Sequence, residues 1–280
     1  MRYNKRHGKR HGSKLSDLES AVGSDSLRGK GVVSRVTARF LFFSLWIIAA
    51  SAAFAGTPFE SKQAFGKWMT FYYQNPEPTR IPDAINYLGE SGMLEDQNTY
   101  APVFGFLSGV FRNNPDKMAG WVTQPSSLNE NLQFVLILSI RYAALPDSPD
   151  TIRGILNQHP NLKPSVETIN ERAPITVESI PLEKGPWVLD ALWGKFMATG
   201  ESAPVERIMA TLPWLERKED LKRFLTGSSA NWSLTSNAVQ HPRVLEICEG
   251  AEKTQPEDVA KKLTEIVKKA KAQRQSQKTQ

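Results

Sequence analysis

Leu132-Gln133-Phe134-Val135-Leu136-Ile137-Leu138-Ser139-Ile140-Arg141-Tyr142-Ala143-Ala144 is apolar on almost every side of a helical wheel. A helix with that pattern is buried all round, so the spacing predicts the most enclosed element of the molecule at about 128–144. The chain then breaks, and Ser148-Pro149-Asp150 supplies a cap with proline at the first helical position. Ile152, Ile155 and Leu156 form the buried stripe of a shorter second helix at about 148–158. A long apolar helix, a proline break and a short amphipathic helix make up one pair.

The same plan recurs in both directions. Upstream, Phe65, Trp68, Met69 and Tyr72 line a helix at about 59–74. Asn75-Pro76-Glu77-Pro78 stops it, and Ile81, Ile85 and Leu88 mark a second at about 81–90. A further pair is predicted at about 99–112 and 115–123, split by Asn113-Asn114-Pro115. Downstream, Trp187, Leu189, Leu192, Trp193 and Phe196 lie on a helix at about 186–199. Gly200 and Pro204 break the chain before Val205, Met209 and Leu212. Three more helices follow at about 218–238, 242–252 and 256–272. The segment 159–185, with prolines at 160, 164, 174 and 181, reads as an irregular connection. Sustained period-2 alternation is almost missing, so strands have little support.

A weak internal repeat runs through these pairs. Trp68 and Phe71 precede a break and Ile81, Ile85 and Leu88. Trp193 and Phe196 precede a break and Val205, Met209 and Leu212. Units of this kind bury their apolar faces only against neighbours. The expected fold is all-α: antiparallel helix pairs forming an α-solenoid-like or bundled single domain over residues 56–272, with a polar tail at 273–280.

Residues 1–55 are expected to lie outside that fold, as a disordered basic leader plus signal peptide. Phe40–Ala53 is an apolar run preceded by Arg35 and Arg39 and followed by Ala53-Phe54-Ala55. A basic region, a short apolar core and an Ala-x-Ala site are the three parts of a secretory signal, here with cleavage after Ala55. The run is shorter than the roughly 20 residues of a spanning helix. An uncleaved leader acting as an inner-membrane anchor is the alternative. Gly56 rather than cysteine follows the site, which rules out lipid attachment there.

The leader also explains the charge. The whole chain carries 35 Lys+Arg against 29 Asp+Glu, a formal +6, but residues 1–55 hold ten of those cations and three of those acids. The body is nearly neutral and gives no electrostatic case for nucleic acid. Membrane contact is expected only through the leader, during export. Cys248, the single cysteine, precludes an intrachain disulfide and is expected to be buried and inert.

The body's two histidines, His159 and His241, both precede proline and sit at element boundaries without a second ligand at metal-binding spacing. A His241–Cys248 nucleophile pair lacks a third group to orient the base. No Gly-x-Ser-x-Gly elbow, phosphate-binding glycine loop or dinucleotide fingerprint occurs, and no cofactor is expected. Glu219-Asp220 and Glu257-Asp258 fall in first helical turns, where they complement the helix dipole. Trp68, Trp121, Trp187 and Trp193 are expected in the core, whereas Trp214 and Trp232 are candidates for exposure. The most unusual polar segment runs from Asn231 to His241. Trp232, Ser233, Asn237, Gln240 and His241 are therefore the candidate partner-binding residues, with close helix packing as the alternative use of the same small polar side chains.

Two stretches carry a resemblance. Leu192-Trp193-Gly194-Lys195-Phe196-Met197-Ala198-Thr199-Gly200-Glu201, continuing to Pro204-Val205-Glu206-Arg207-Ile208, resembles a recurrent segment of uncharacterised exported helical proteins of bacteria. Trp68-Met69-Thr70-Phe71-Tyr72-Tyr73-Gln74-Asn75-Pro76 does so too. The resemblance implies a secreted helical domain and brings no catalytic residues with it. The helix-pair plan is similar to tetratricopeptide-type repeats in architecture only. The functional expectation is a non-enzymatic, periplasmic or secreted protein that binds an unidentified protein or peptide. An exported enzyme acting on envelope polymers and a membrane-anchored structural component are the alternatives.

Overall fold

A computed structural model describes residues 59–123, 129–162 and 175–278. The leader, its Ala53-Phe54-Ala55 site and residues 163–174 of the 159–185 connection lie outside those residues. The described chain is all helical, with no strand among the described residues and one packed domain. Its eleven α-helices are α1 Lys62–Phe71, α2 Ile81–Glu90, α3 Tyr100–Asn113, α4 Pro115–Thr123, α5 Glu130–Ala143, α6 Ser148–Gln158, α7 Trp187–Thr199, α8 Ser202–Met209, α9 Leu221–Gln240, α10 Pro242–Ala251 and α11 Glu257–Lys278. None of the described helices is long and apolar enough to cross a membrane.

Local chemistry sets the boundaries. Ser61, Asn129 and Asp220 cap α1, α5 and α9, each side chain accepting from a backbone N–H three residues on. Ser148, expected as a cap, is buried and donates instead to the Ile140 carbonyl at 2.8 Å, tying α6 back onto α5. The expected end of the fourth short helix, predicted at about 203–212, shifts as well. α8 stops at Met209, and a 3-10 turn, Leu212–Glu216, carries the chain to α9. The polar tail expected from 273 continues α11 to Lys278. Arg274 Nη1 donates to the Ala238 and Val239 carbonyls at 3.3 and 2.9 Å, satisfying the end of α9.

α5 is enclosed as its sequence predicts, and α3 is equally so, each burying all but three of its 14 residues. The tightest contact in the molecule joins α3 to α7, which the intervening α5–α6 pair separates in sequence. A methyl on Gly105 would overlap the Ala191 carbonyl oxygen, and one on Gly194 would overlap that of Pro102. A Cβ on Gly109 would come within 2.8 Å of the Ala198 Cβ. Gly105 lies opposite Ala191 and Gly109 opposite Ala198, so the two helices cross in the same direction, backbone against backbone. In a solenoid each unit touches only its neighbours. Here the crossing skips a pair, which makes the arrangement a bundle built around α3 and α7.

α5 packs on one side of α3, with α2 and α4 beyond it, and α1 leans on α7. α8 to α11 and the Leu212–Glu216 turn form the other flank, where α9, α10 and α11 pack against one another. Phe59 seals the N-terminal end of the described fold. It is buried against Phe65 and Tyr87 at 5.1 and 5.6 Å, with the Arg80 guanidinium 4.6 Å over its ring.

Candidate functional site

The central helix α7 carries the polar groups that the core has to accommodate. Gly185, at φ +121°, and Pro186 turn the chain into it, and Gly200, at φ +68°, ends it with its N–H bonded to the Phe196 carbonyl. Between them lie Trp187, Asp190, Trp193 and Lys195.

Lys195 is buried, and its ammonium meets both Glu178 carboxylate oxygens at 2.7 and 2.9 Å. Arg207 Nε donates to the Glu178 carbonyl at 3.1 Å. Burial pushes the Glu178 carboxyl up, but the Lys195 ammonium outweighs it and holds the group below its ordinary range. This is a completed pair that fastens the Val177–Ser179 turn across α7 and α8. A buried charge is tolerated when it is matched in this way.

Asp190 has no such match. It is half-buried in the first turn of α7. Burial raises its carboxyl to about 7, and no charged group among the described residues acts on it. The helix N-terminus favours the anion, and desolvation wins. Trp187 and Trp193 lie three residues to either side, the spacing that sets side chains next to one another on a helix. Trp187 is held 6.5 Å from the Phe104 ring and Trp193 edge-on to Phe196 at 5.8 Å. Both indole N–H groups are buried with no hydrogen-bond partner.

The segment singled out from sequence takes a different form. Trp232 is exposed, at 38%, on α9. Ser233 is buried and donates to the Ala230 carbonyl. Asn237 donates to the Ser233 carbonyl at 2.9 Å, and Gln240 Nε2 to Ser236 Oγ at 3.3 Å. The three small polar side chains spend their bonds within their own helix. His241 is fully buried at the α9–α10 junction. Its Nδ1 and the Tyr73 hydroxyl are hydrogen-bonded at 3.2 Å, and its ring packs against Phe71, Tyr73 and Phe196. Burial, with the Arg274 charge adding to it, pushes the imidazole down to about 4.

Those values matter for chemistry. An imidazole near 4 is a poor base at neutral pH. The Cys248 thiol is buried, and burial with Glu252 and Glu249 pushes it up to about 12. A His241–Cys248 nucleophile pair is disarmed on both sides. No group of three or more His, Cys, Asp or Glu among the described residues could hold a metal ion. His159 ends α6.

The expected core tryptophans sit inward. Trp193 is buried, Trp68, Trp121 and Trp187 pack partly buried against the core, and Trp214 is half-buried beneath the Arg223 guanidinium at 5.3 Å. Sequence reasoning passed over Asp190. The available signal was an acid inside an apolar helix with tryptophan at both i−3 and i+3. No family model matches the chain, and no curated protein and no solved structure matches it either.

Proposed function

We propose that the chain is an exported, non-enzymatic helical protein that binds a protein or peptide partner, released to the periplasm or beyond by cleavage after Ala55. The leader pattern supports export, and Phe59, the anchor of the body, lies four residues past the Ala55–Gly56 bond. Cleavage there leaves the buried cluster around Phe59 intact.

The observation that carries the binding reading is Asp190, an unmatched, half-buried carboxyl on the most rigidly packed helix. A glycosidase uses two carboxyl groups within about 5–9.5 Å of each other. No carboxylate among the described residues acts on the Asp190 carboxyl. A carboxyl without a second acid acting on it supports recognition over hydrolysis.

The test is photocrosslinking in the native envelope from p-benzoylphenylalanine at position 187, beside Asp190, and at position 121 as a distant control. The expected result is one discrete adduct from 187 and none from 121. No adduct from 187, or a hydrolytic activity on envelope material that Asp190→Asn abolishes, would overturn the reading. N-terminal sequencing of the mature chain decides the location. A start at Gly56 supports release, and a retained leader supports the anchored alternative.

A further inference from the structure

We propose that the Trp187–Asp190–Trp193 face of α7 receives a basic side chain, lysine or arginine, from the protein partner. The inference rests on the partner-binding reading and names the chemistry of that contact.

Three observations lead to it. Asp190 is half-buried, so a partner side chain reaches it without opening the core. The carboxyl has neither a hydrogen bond nor a cation from the described residues. Most charged groups named on α7 and on the elements packed against it are committed elsewhere, and none of the described ones acts on Asp190. Lys195 is bound to Glu178, Arg207 to the Glu178 carbonyl, and Arg112 to the Ala143 carbonyl. Glu183 faces Arg223, and Lys222 lies along Gly185. Finally, Trp187 and Trp193 stand at i−3 and i+3 from Asp190, on its side of α7.

A carboxylate in a dry setting gains most from a cation brought to it, because the attraction is weakly screened. The partly exposed Trp187 ring, three residues before it on α7, adds to that gain, since a cation within about 6 Å of a tryptophan ring centroid is attracted by the ring quadrupole. Docking takes place on the ionised form, so it displaces the carboxyl proton to solvent.

The test uses the full chain, 15N-labelled at tryptophan, and Nα-acetyl-arginine amide as the probe. Nα-acetyl-citrulline amide is its neutral counterpart. At about pH 8 the indole cross-peaks of Trp187 and Trp193 are expected to move saturably with the arginine probe and not with citrulline. Trp68, whose indole is bonded to Glu77 at 2.8 Å, serves as the fixed reference. Apparent affinity is expected to be about tenfold weaker at about pH 6, where most of a carboxyl titrating near 7 is protonated. Asp190→Asn should abolish the response with Trp68 unchanged.

No arginine response, an equal response to citrulline, or a response surviving in Asp190→Asn would overturn the proposal. The citrulline comparison needs no variant. A crosslinked partner at position 187 without an arginine response would remove the cation and leave the binding reading standing. An arginine response without a crosslinked protein would do the reverse.

Discussion

Asp190 on α7 and His241 at the α9–α10 junction are both titratable groups pressed into one fold, and burial drives both toward their neutral forms. The carboxyl rises to about 7 and the imidazole falls to about 4. They differ in what surrounds them. His241 has the Tyr73 hydroxyl and three aromatic rings, and it joins two segments 168 residues apart. Asp190 has neither a hydrogen bond nor a counter-charge among the described residues. Burial shifts a pKa in either case, and the partner decides whether the group is held in a joint, as His241 is through Nδ1 while its buried Nε2 stays unbonded, or is left as an open contact.

The largest expected effect removes the frame that both groups share. Gly105→Val drives a side chain into the Ala191 backbone, which cannot yield as a flexible side chain would. The expected loss is about 3 kcal/mol or more, at the upper end of overpacking costs. Urea unfolding measures it, and a loss below about 1 kcal/mol would mean that α3 and α7 do not cross as described.

Acid separates the two groups. The folded pKa of His241 lies below the ordinary 6.5, so its stabilising effect is complete above pH 6.5 and is lost as pH falls toward 4. That difference amounts to about 3 kcal/mol. Asp190 has the opposite sign. Its folded pKa lies above the ordinary 3.8, so its contribution is present below 3.8 and lost as pH rises through 7. Between about pH 4 and about pH 6.5 the two slopes oppose each other. Unfolding curves across that window should therefore change less for the native chain than for Asp190→Asn, which leaves the His241 slope alone. Equal slopes in the two proteins would place Asp190 in water.

A smaller effect isolates the joint. Tyr73→Phe removes the hydroxyl that meets His241 Nδ1. The expected cost is about 1 kcal/mol, the net worth of one hydrogen bond, with no change in partner adducts at position 187. The smallest effect has the unusual sign. Asp190→Asn replaces a desolvated anion at about pH 8 with a neutral isostere, so the melting temperature should rise by a few degrees. A fall would show that the anion is matched after all.

Much of the fold is legible in the sequence because its signals are local. The helices at 81–90 and 115–123 follow from apolar spacing bracketed by proline and asparagine, and α2 and α4 occupy those residues. The choice between solenoid and bundle was not legible, because it turns on a contact between residues some 90 apart in sequence. Gly105, Gly109 and Gly194 hold the key, and each looks in sequence like a weakness of its helix rather than a point of backbone contact. The candidate site was less legible. The polar run at Ser233, Asn237 and Gln240 stands out by composition, yet its hydrogen bonds close within α9. Asp190 is inconspicuous, because one acid in a first helical turn is ordinary. Only packing shows that nothing answers it.

The most direct measurement is the 13C chemical shift of the Asp190 carboxyl, assigned by its loss in Asp190→Asn and followed from about pH 3 to about pH 9. A midpoint near 7 is the predicted result. A midpoint below about 5, in the range of an ordinary solvated aspartate, would contradict the account.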